Sequence, residues 1–168
     1  MIETIALVLT GLGLTASIVY YASILRNANK TQQMALETRQ TQLFMYLYDK
    51  WSSEDFIIKL LEILQWEWED YQDYNRKYGY ANKDKAVQRI AVGAFFEGLG
   101  VLVKNGQLKP ELVDDLLSWN VVTYWEKFRP IIIQSRKEQN YPNMGEWTEY
   151  LYNQIKPIYE NKHLELAT

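Results

Sequence analysis

The sequence lacks cysteine entirely and contains a single histidine, His163, close to its C-terminal end. Without cysteine the chain can form no disulfide, no thiolate nucleophile and no cysteine-ligated metal site. Histidine is the usual general base near neutral pH and the commonest metal ligand. The chain also has no glycine-rich phosphate loop and no known nucleophile motif. We therefore predict a non-enzymatic protein that has no cofactor and no metal site.

The chain also lacks an excess of positive charge. Its 168 residues include 18 bases and 21 acids, which gives a formal net charge of −3. Proteins that bind nucleic acid present a basic face to the phosphate backbone. We therefore expect no nucleic-acid partner.

One long stretch carries no charge at all, the run from Ile5 to Leu25. A helix of this length would be about 30 Å long, which matches the hydrocarbon core of a bilayer. A secretory signal peptide would have basic residues before a shorter apolar core, whereas here Glu3 is the only charged side chain before the run. We predict a retained transmembrane helix within residues 1–25. A cleaved signal peptide and a buried core helix are the alternatives.

The charges that flank this run predict its orientation. Arg26, Lys30 and Arg39 follow it, and no basic side chain precedes it. Basic residues concentrate on the cytoplasmic side of a membrane, and tyrosines such as Tyr20 and Tyr21 suit the interface. We expect a single-pass protein of the cell membrane, inner or plasma, with its N-terminus outside and most of the chain in the cytoplasm.

Small residues recur at four-residue spacing within the run. Gly11 pairs with Thr15 in this way, and Gly13 pairs with Ser17. Such spacing allows two helices to approach closely in lipid, so it favours self-association or docking onto another membrane subunit. The alternative is the ordinary small-residue content of a transmembrane helix.

Hydrophobic periodicity is helical along almost all of the remaining chain, which predicts an all-α protein. We expect a juxtamembrane helix over residues 26–51, a cytoplasmic bundle of about five helices over residues 52–160, and a frayed tail over 161–168. The predicted bundle helices cover residues 52–77, 83–104, 110–118, 120–139 (kinked at Pro130) and 143–160.

The helix predicted over residues 52–77 contains an acidic, aromatic stretch from Trp66 to Tyr74. Its inward stripe is predicted to comprise Ile57, Leu61, Leu64, Trp68, Tyr71 and Tyr78. Trp66 lies off that stripe, so it is the residue of this stretch that is predicted to be exposed. The stretch is either a cation-binding or partner-docking face, because aromatic rings beside carboxylates attract basic groups, or one amphipathic helix whose acids are solvated.

Glu97 lies between Gly93 and Gly100 at helical spacing, so the three residues share one helix face. Glycine weakens a helix by about 1 kcal/mol relative to alanine, which is understandable if another helix packs closely there. Glu97 would then be partly buried and would need donors or a cation. Arg129 and Arg136 are the predicted partners. A structural ion pair, a proton-handling carboxylate and an exposed residue without special role are the three interpretations.

A cluster of acids follows Pro110, namely Glu111, Asp114 and Asp115. It could suggest a metal site, but acids at a helix start complement the helix dipole. We favour that second interpretation.

Two segments of the chain carry a resemblance to a known family. They are residues 95–106 with 112–117, and residues 125–132 with Arg136. Together with the N-terminal apolar helix, they resemble the prokaryotic family catalogued as domain of unknown function 4760, from the apolar helix to about Gln139. The resemblance implies a membrane-anchored helical architecture and draws attention to Glu97, Gly100, Trp125 and Arg136. It supplies no catalytic residues.

These observations lead to three functional hypotheses of different classes. The first is an accessory, scaffolding or regulatory subunit that binds the bilayer and either a protein partner or a second copy of itself. The second is a membrane-anchored sensor or effector with a ligand pocket near Gly93, Glu97 and Gly100. The third is an enzyme that uses a pair of carboxylates.

Overall fold

A computed structural model describes residues 1–166 of the chain, and the side chains of residues 1–162. Every regular element within the described residues is an α-helix. The helices are α1 (Ile2–Trp51), α2 (Glu54–Gln65), α3 (Tyr71–Tyr78), α4 (Lys83–Lys104), α5 (Pro110–Glu138) and α6 (Glu146–Leu166). The all-α prediction is therefore confirmed.

The chain divides into two compact units, and the first comprises Met1–Met45. It contains α1 as far as Met45, and α1 continues through Arg26 without interruption. Every residue from 1 to 39 is exposed. No residue of the uncharged run from Ile5 to Leu25 is therefore buried.

The second unit begins at Tyr46 and contains the helical domain. Its centre is formed by α4, α5 and α6, with α6 packed against both of the other two helices and α2 packed mainly on α4. The large side chains with almost no exposure come from these four helices: Ile63, Val92, Phe96, Leu99, Val121, Tyr124, Trp125, Phe128, Leu151 and Ile155.

The predicted bounds of α4 are confirmed at both ends. The helix is followed by the pair Asn105-Gly106, and Gly106 has a φ of 66°. This left-handed conformation favours glycine and commonly ends a helix.

The helix predicted over residues 52–77 is instead two helices, so that prediction is wrong. Trp66 leaves the helix in an extended conformation, and Asp70 begins α3 by accepting a hydrogen bond from the Asp73 amide. Trp66 is only 6% exposed, and its ring stacks on Tyr78 at 4.2 Å between centroids. Burial of this ring and capping by Asp70 together stabilise the break more than a continuous helix would stabilise this segment. Trp66 is therefore a core residue and not an exposed one.

The predicted inward stripe of α2 is also wrong by one position. Ile57 and Leu61 are 38% and 49% exposed, whereas the buried residues are Phe56, Leu60 and Ile63. The capping residue of α2 is Ser53, whose side chain accepts a hydrogen bond from the Phe56 amide. The helix that begins after it turns Phe56, Leu60 and Ile63 toward the core.

α5 is one helix where two were predicted. It begins at Pro110, as expected, but it continues to Glu138 with Pro130 inside it. Proline removes one backbone hydrogen bond, which leaves the carbonyl of Glu126 without its partner. Both Pro130 and Glu126 are exposed, so water can satisfy that carbonyl and the helix continues.

α6 also extends beyond its predicted end. It contains Pro157 and runs to Leu166, past Asn161, where the sequence predicted a frayed tail. Residues 167–168 of that predicted tail lie outside the described residues, and so does the side chain of His163.

Candidate functional site

The face of α4 that carries Gly93 and Gly100 packs closely against its neighbours, as predicted. A Cβ atom added at Gly100 would lie 2.1 Å from the carbonyl oxygen of Trp147, in the first turn of α6. One added at Gly93 would lie 2.8 Å from the hydroxyl oxygen of Tyr124 on α5. Glycine at these positions therefore allows the start of α6 and the Tyr124 side chain to approach α4.

Glu97 lies on the same face and holds the start of α6. Its carboxylate accepts hydrogen bonds from the Trp147 amide at 3.3 Å, the Thr148 amide at 3.1 Å and the Thr148 hydroxyl at 2.8 Å. The first amides of a helix lack intrahelical partners and carry a partial positive charge. Glu97 thus caps α6 from a different helix, and the prediction that it is half-buried and needs donors is confirmed.

The predicted partners of Glu97 are wrong. Arg136 instead forms an ion pair with Glu149 at 2.8 Å, and its Nε donates to the Met144 carbonyl at 2.8 Å. Arg129 is exposed. Backbone amides at the start of α6 are already beside Glu97, so no arginine is needed there. Arg136 reaches the same helix start from the end of α5.

A cavity of about 250 Å³ opens beside this contact, between α4, α5 and the start of α6. We call it the α4–α5–α6 cavity. It could hold about eight water molecules at roughly 30 Å³ each. Its lining residues are Tyr80, Arg89, Ile90, Gly93, Ala94, Glu97, Tyr124, Ile132, Met144, Gly145 and Thr148.

The sequence predicted a pocket near Gly93, Glu97 and Gly100. Gly93 and Glu97 line the cavity whereas Gly100 does not, and the prediction missed Arg89 and Tyr124. Arg89 lies four residues before Gly93, as Glu97 lies four residues after it, so all three are on one face of α4. That spacing was visible in the sequence. Tyr124 comes from another helix, and no local pattern could pair it with Gly93.

One polar group at this cavity has unused hydrogen-bonding capacity. The Nε of Arg89 is buried and has no hydrogen-bond partner in the described part of the chain. Tyr124, which also lines the cavity, is 2% exposed. Buried polar groups are usually paired, so a molecule with hydrogen-bonding atoms would fit here.

The tyrosines near Arg89 remain protonated at neutral pH. Burial raises the pKa of Tyr124, although the positive charge of Arg89 opposes part of the increase. Burial also raises the pKa of neighbouring Tyr74 to about 12, again against the charge of Arg89. Both hydroxyls are therefore neutral groups that can donate a hydrogen bond.

Trp125 has a structural position. It is 1% exposed, its ring lies 6.1 Å from that of Tyr152 between centroids, and a Cβ at Gly145 would approach it to 3.6 Å. It therefore packs α5 against α6 and the loop that precedes α6.

Of the three acids after Pro110, Glu111 lies in the first turn of α5 as expected for an interaction with the helix dipole, whereas Asp114 and Asp115 bind a lysine. The Nζ of Lys162 on α6 donates to Asp114, which is 3% exposed, and to Asp115 at 2.7 Å. The hydrogen bond to Asp114, followed by that to Asp115, raises the pKa of Lys162. In the part of the chain that the structure describes, no group of three or more acidic or histidine side chains converges on a possible metal position.

The four small residues of α1 lie on an uncovered helix. The hydroxyl of Thr15 donates to the Gly11 carbonyl at 2.9 Å, and that of Ser17 donates to the Gly13 carbonyl at 2.8 Å. A Cβ at either glycine would meet no other atom within 4 Å. Leu12, Thr15, Ala16, Val19, Tyr20 and Ser23 line a shallow groove along one side.

Among the described residues, two helices are long and apolar enough to cross a membrane, α1 and α4. The most apolar segment of α1 has no buried residue. In the most apolar segment of α4, a third of the residues are buried. Since α4 is a central helix of the domain, α1 is the candidate.

Comparison with known proteins gives one match. Neither the curated proteins nor the solved structures include one that matches the chain. The sequence profile of a family described as a domain of unknown function (DUF4760) matches residues 2–155. The match extends from α1 into α6 and so includes all the residues that hold the start of α6. The chain therefore belongs to the DUF4760 family.

Proposed function

We propose that this chain is a non-enzymatic, single-pass membrane protein that serves as an accessory, scaffolding or regulatory subunit of a membrane-associated complex. The observation that carries the proposal is α1, whose residues 2–39 are all exposed. Burying one large aliphatic side chain is worth about 1.5–3 kcal/mol. An uncovered 21-residue apolar run would therefore be strongly unfavourable in water and favourable in lipid.

The internal hydrogen bonds of α1 support this placement. Thr10, Thr15 and Ser17 each donate their hydroxyl to a carbonyl of the same helix. Polar groups in a bilayer must be satisfied within the protein because no water is available. The basic residues Arg26 and Lys30 on the far side of the run favour a cytoplasmic domain.

A partner has an accessible surface on the same helix. Gly11 and Gly13 leave the backbone uncovered, which permits close approach by a second helix. Either a second copy of this chain or the helix of another membrane protein would fit.

The interactions of Glu97 favour binding over catalysis. Hydrolysis by carboxylates usually requires two that converge on the substrate, and Glu97 is the one carboxylate residue that lines the α4–α5–α6 cavity. Its two oxygens already accept three hydrogen bonds from α6.

Mild crosslinking in native membranes, followed by purification, tests the proposal. We expect the chain to be recovered from the membrane fraction in a crosslinked complex with a partner or a second copy. Gly11→Leu or Gly13→Leu should reduce the amount of the crosslinked species because each adds a large side chain. The control Leu12→Met, which leaves the side-chain size almost unchanged, should not. A soluble, uncrosslinked monomer would contradict the proposal.

A second function, a ligand-responsive domain on the same anchor, is favoured by the α4–α5–α6 cavity. A ligand that binds only the folded domain raises its stability by about 2.7 kcal/mol at a concentration one hundred times its Kd. A thermal-shift screen of the full chain in detergent would detect this. Gly93→Ala, whose new methyl group meets the Tyr124 hydroxyl, should abolish the shift, while Gly98→Ala, which meets nothing within 4 Å, should preserve it.

A further inference from the structure

The α4–α5–α6 cavity has a positively charged residue and a negatively charged residue on the same wall. Arg89 and Glu97 are eight residues apart on α4, so their Cα atoms are separated by about 12 Å along the helix. Gly93 lies midway between them and leaves space in which the Tyr124 hydroxyl is found. The two charges sum to zero, so a ligand that matches both should also have no net charge.

One N–H group of Arg89 lacks an acceptor. The Nε of Arg89 is buried and has no hydrogen-bond partner among the described residues. A guanidinium has five N–H donors and binds a carboxylate in a planar, two-point arrangement. An anionic oxygen group at this end would satisfy that donor and pair with its charge.

The Glu97 end retains capacity for a donor. A carboxylate can accept about four hydrogen bonds, and Glu97 accepts three, of which Oε2 receives only the one from the Trp147 amide. The nearby Arg136 is paired with Glu149. An ammonium or another donor on the ligand would use the remaining acceptor position.

The wall between the two ends is apolar, formed by Ile90, Ala94, Ile132 and Met144. The volume of about 250 Å³ corresponds to roughly eight waters and therefore suits a ligand of similarly few non-hydrogen atoms. A short methylene chain would contact this wall and displace water from it.

We propose that the α4–α5–α6 cavity binds a compact zwitterion, whose acidic oxygen group pairs with Arg89 and whose amine donates to Glu97 across a short apolar body. This inference rests on the ligand-responsive function proposed above. Tyr124 supplies a neutral hydroxyl in the middle of the cavity, where it can donate to the acidic group.

Three probes of equal chain length separate the contributions of the two ends: 5-aminopentanoate, pentanoate and pentylamine. Dissociation constants are measured by NMR titration of the full chain in detergent. A hydrogen bond to a charged group is worth about 1.5–3 kcal/mol, which is roughly tenfold or more in affinity. We expect 5-aminopentanoate to bind at least about tenfold more tightly than either of the other two.

Variants assign each end to its residue. Arg89→Gln should weaken 5-aminopentanoate and pentanoate by about tenfold or more and leave pentylamine unchanged. Glu97→Gln, which keeps an acceptor oxygen for Thr148, should weaken 5-aminopentanoate and pentylamine but not pentanoate. Gly93→Ala should weaken all three probes, and Gly98→Ala should match the wild-type chain. Circular dichroism and melting temperature verify that each variant is folded.

Equal binding of pentanoate and 5-aminopentanoate, or no effect of Arg89→Gln, would overturn the zwitterion assignment. The zwitterion assignment is also overturned if no probe binds while the thermal-shift screen finds another ligand whose binding depends on Gly93. In that case the ligand-responsive function is still supported. If no compound shifts the melting temperature, both are overturned.

Discussion

Gly100 tests whether the close contact between α4 and the start of α6 stabilises the domain. A Cβ atom at this position would lie 2.1 Å from the Trp147 carbonyl oxygen and 2.6 Å from its carbonyl carbon. Both are backbone atoms, so no side-chain rotation can relieve the overlap. Gly100→Ala must therefore push the first turn of α6 away by roughly 1 Å in a close-packed interior.

The cost of that movement has two components. Overpacking of this kind costs about 1–3 kcal/mol. The movement also stretches the hydrogen bonds to Glu97, which are 2.8–3.3 Å long, and each bond to a charged group is worth about 1.5–3 kcal/mol. The higher helix propensity of alanine offsets about 1 kcal/mol of this loss in the free energy of unfolding. We expect a net loss of about 2–4 kcal/mol in the free energy of unfolding.

Gly98→Ala is the matched control, two residues earlier on the same helix. Gly98 is exposed, and a Cβ atom there would meet nothing within 4 Å. The same substitution should therefore stabilise the domain by about 0.5–1 kcal/mol.

Urea unfolding of the full chain in detergent, followed by tryptophan fluorescence, measures both variants. Amide exchange of Thr148 gives a second measurement, and it should become faster in Gly100→Ala only. If Gly100→Ala were as stable as Gly98→Ala, the close contact and its role in holding α6 would be refuted.

Three further predictions follow from other contacts. Thr148→Val removes the hydroxyl donor to Glu97. Measured by urea unfolding, it should lower the free energy of unfolding by about 1.5–3 kcal/mol. The control Thr123→Val, at a half-buried residue, should have a much smaller effect. Trp66→Ala should cost about 3–5 kcal/mol because its ring is buried, while Trp119→Ala, at a residue 51% exposed, should change the melting temperature little; equal effects would contradict the burial of Trp66. The hydrogen bond from Lys77 holds the pKa of Asp73 below its ordinary value of 3.8, so its contribution is present above that pH and is lost as the pH falls through the lowered pKa. Asp73→Asn should therefore flatten the loss of melting temperature below about pH 4, and an unchanged acid profile would contradict this.

Helices whose end signals are local could be predicted from the sequence. The bounds of α4 followed from its apolar periodicity and from Asn105-Gly106, and Pro110 correctly marked the start of α5. The close approach at Gly100 was also predictable, because glycine within a helix needs a packing reason.

Features that depend on contacts between distant residues could not be predicted in this way. α2 ends at Trp66 because the Trp66 ring stacks on that of Tyr78. The hydrophobic periodicity of one helix does not reveal this contact. The partners of Glu97 include backbone amides of α6. Every residue except proline has a backbone amide, so the sequence does not indicate which amides will pair with Glu97, and it predicted arginines as the partners instead. The pairing of Gly93 with Tyr124 likewise required the packing of α5 on α4.

The absence of cysteine provides the most direct test of the membrane anchor, because any cysteine introduced is the only one in the chain. Single variants Thr4→Cys, Leu14→Cys and Lys109→Cys would be treated with a membrane-impermeant maleimide in intact cells and again after lysis. We predict that Thr4→Cys reacts in intact cells, that Lys109→Cys reacts only after lysis, and that Leu14→Cys reacts in neither case. Reaction of Leu14→Cys in a chain recovered from the soluble fraction would contradict the membrane-anchored account.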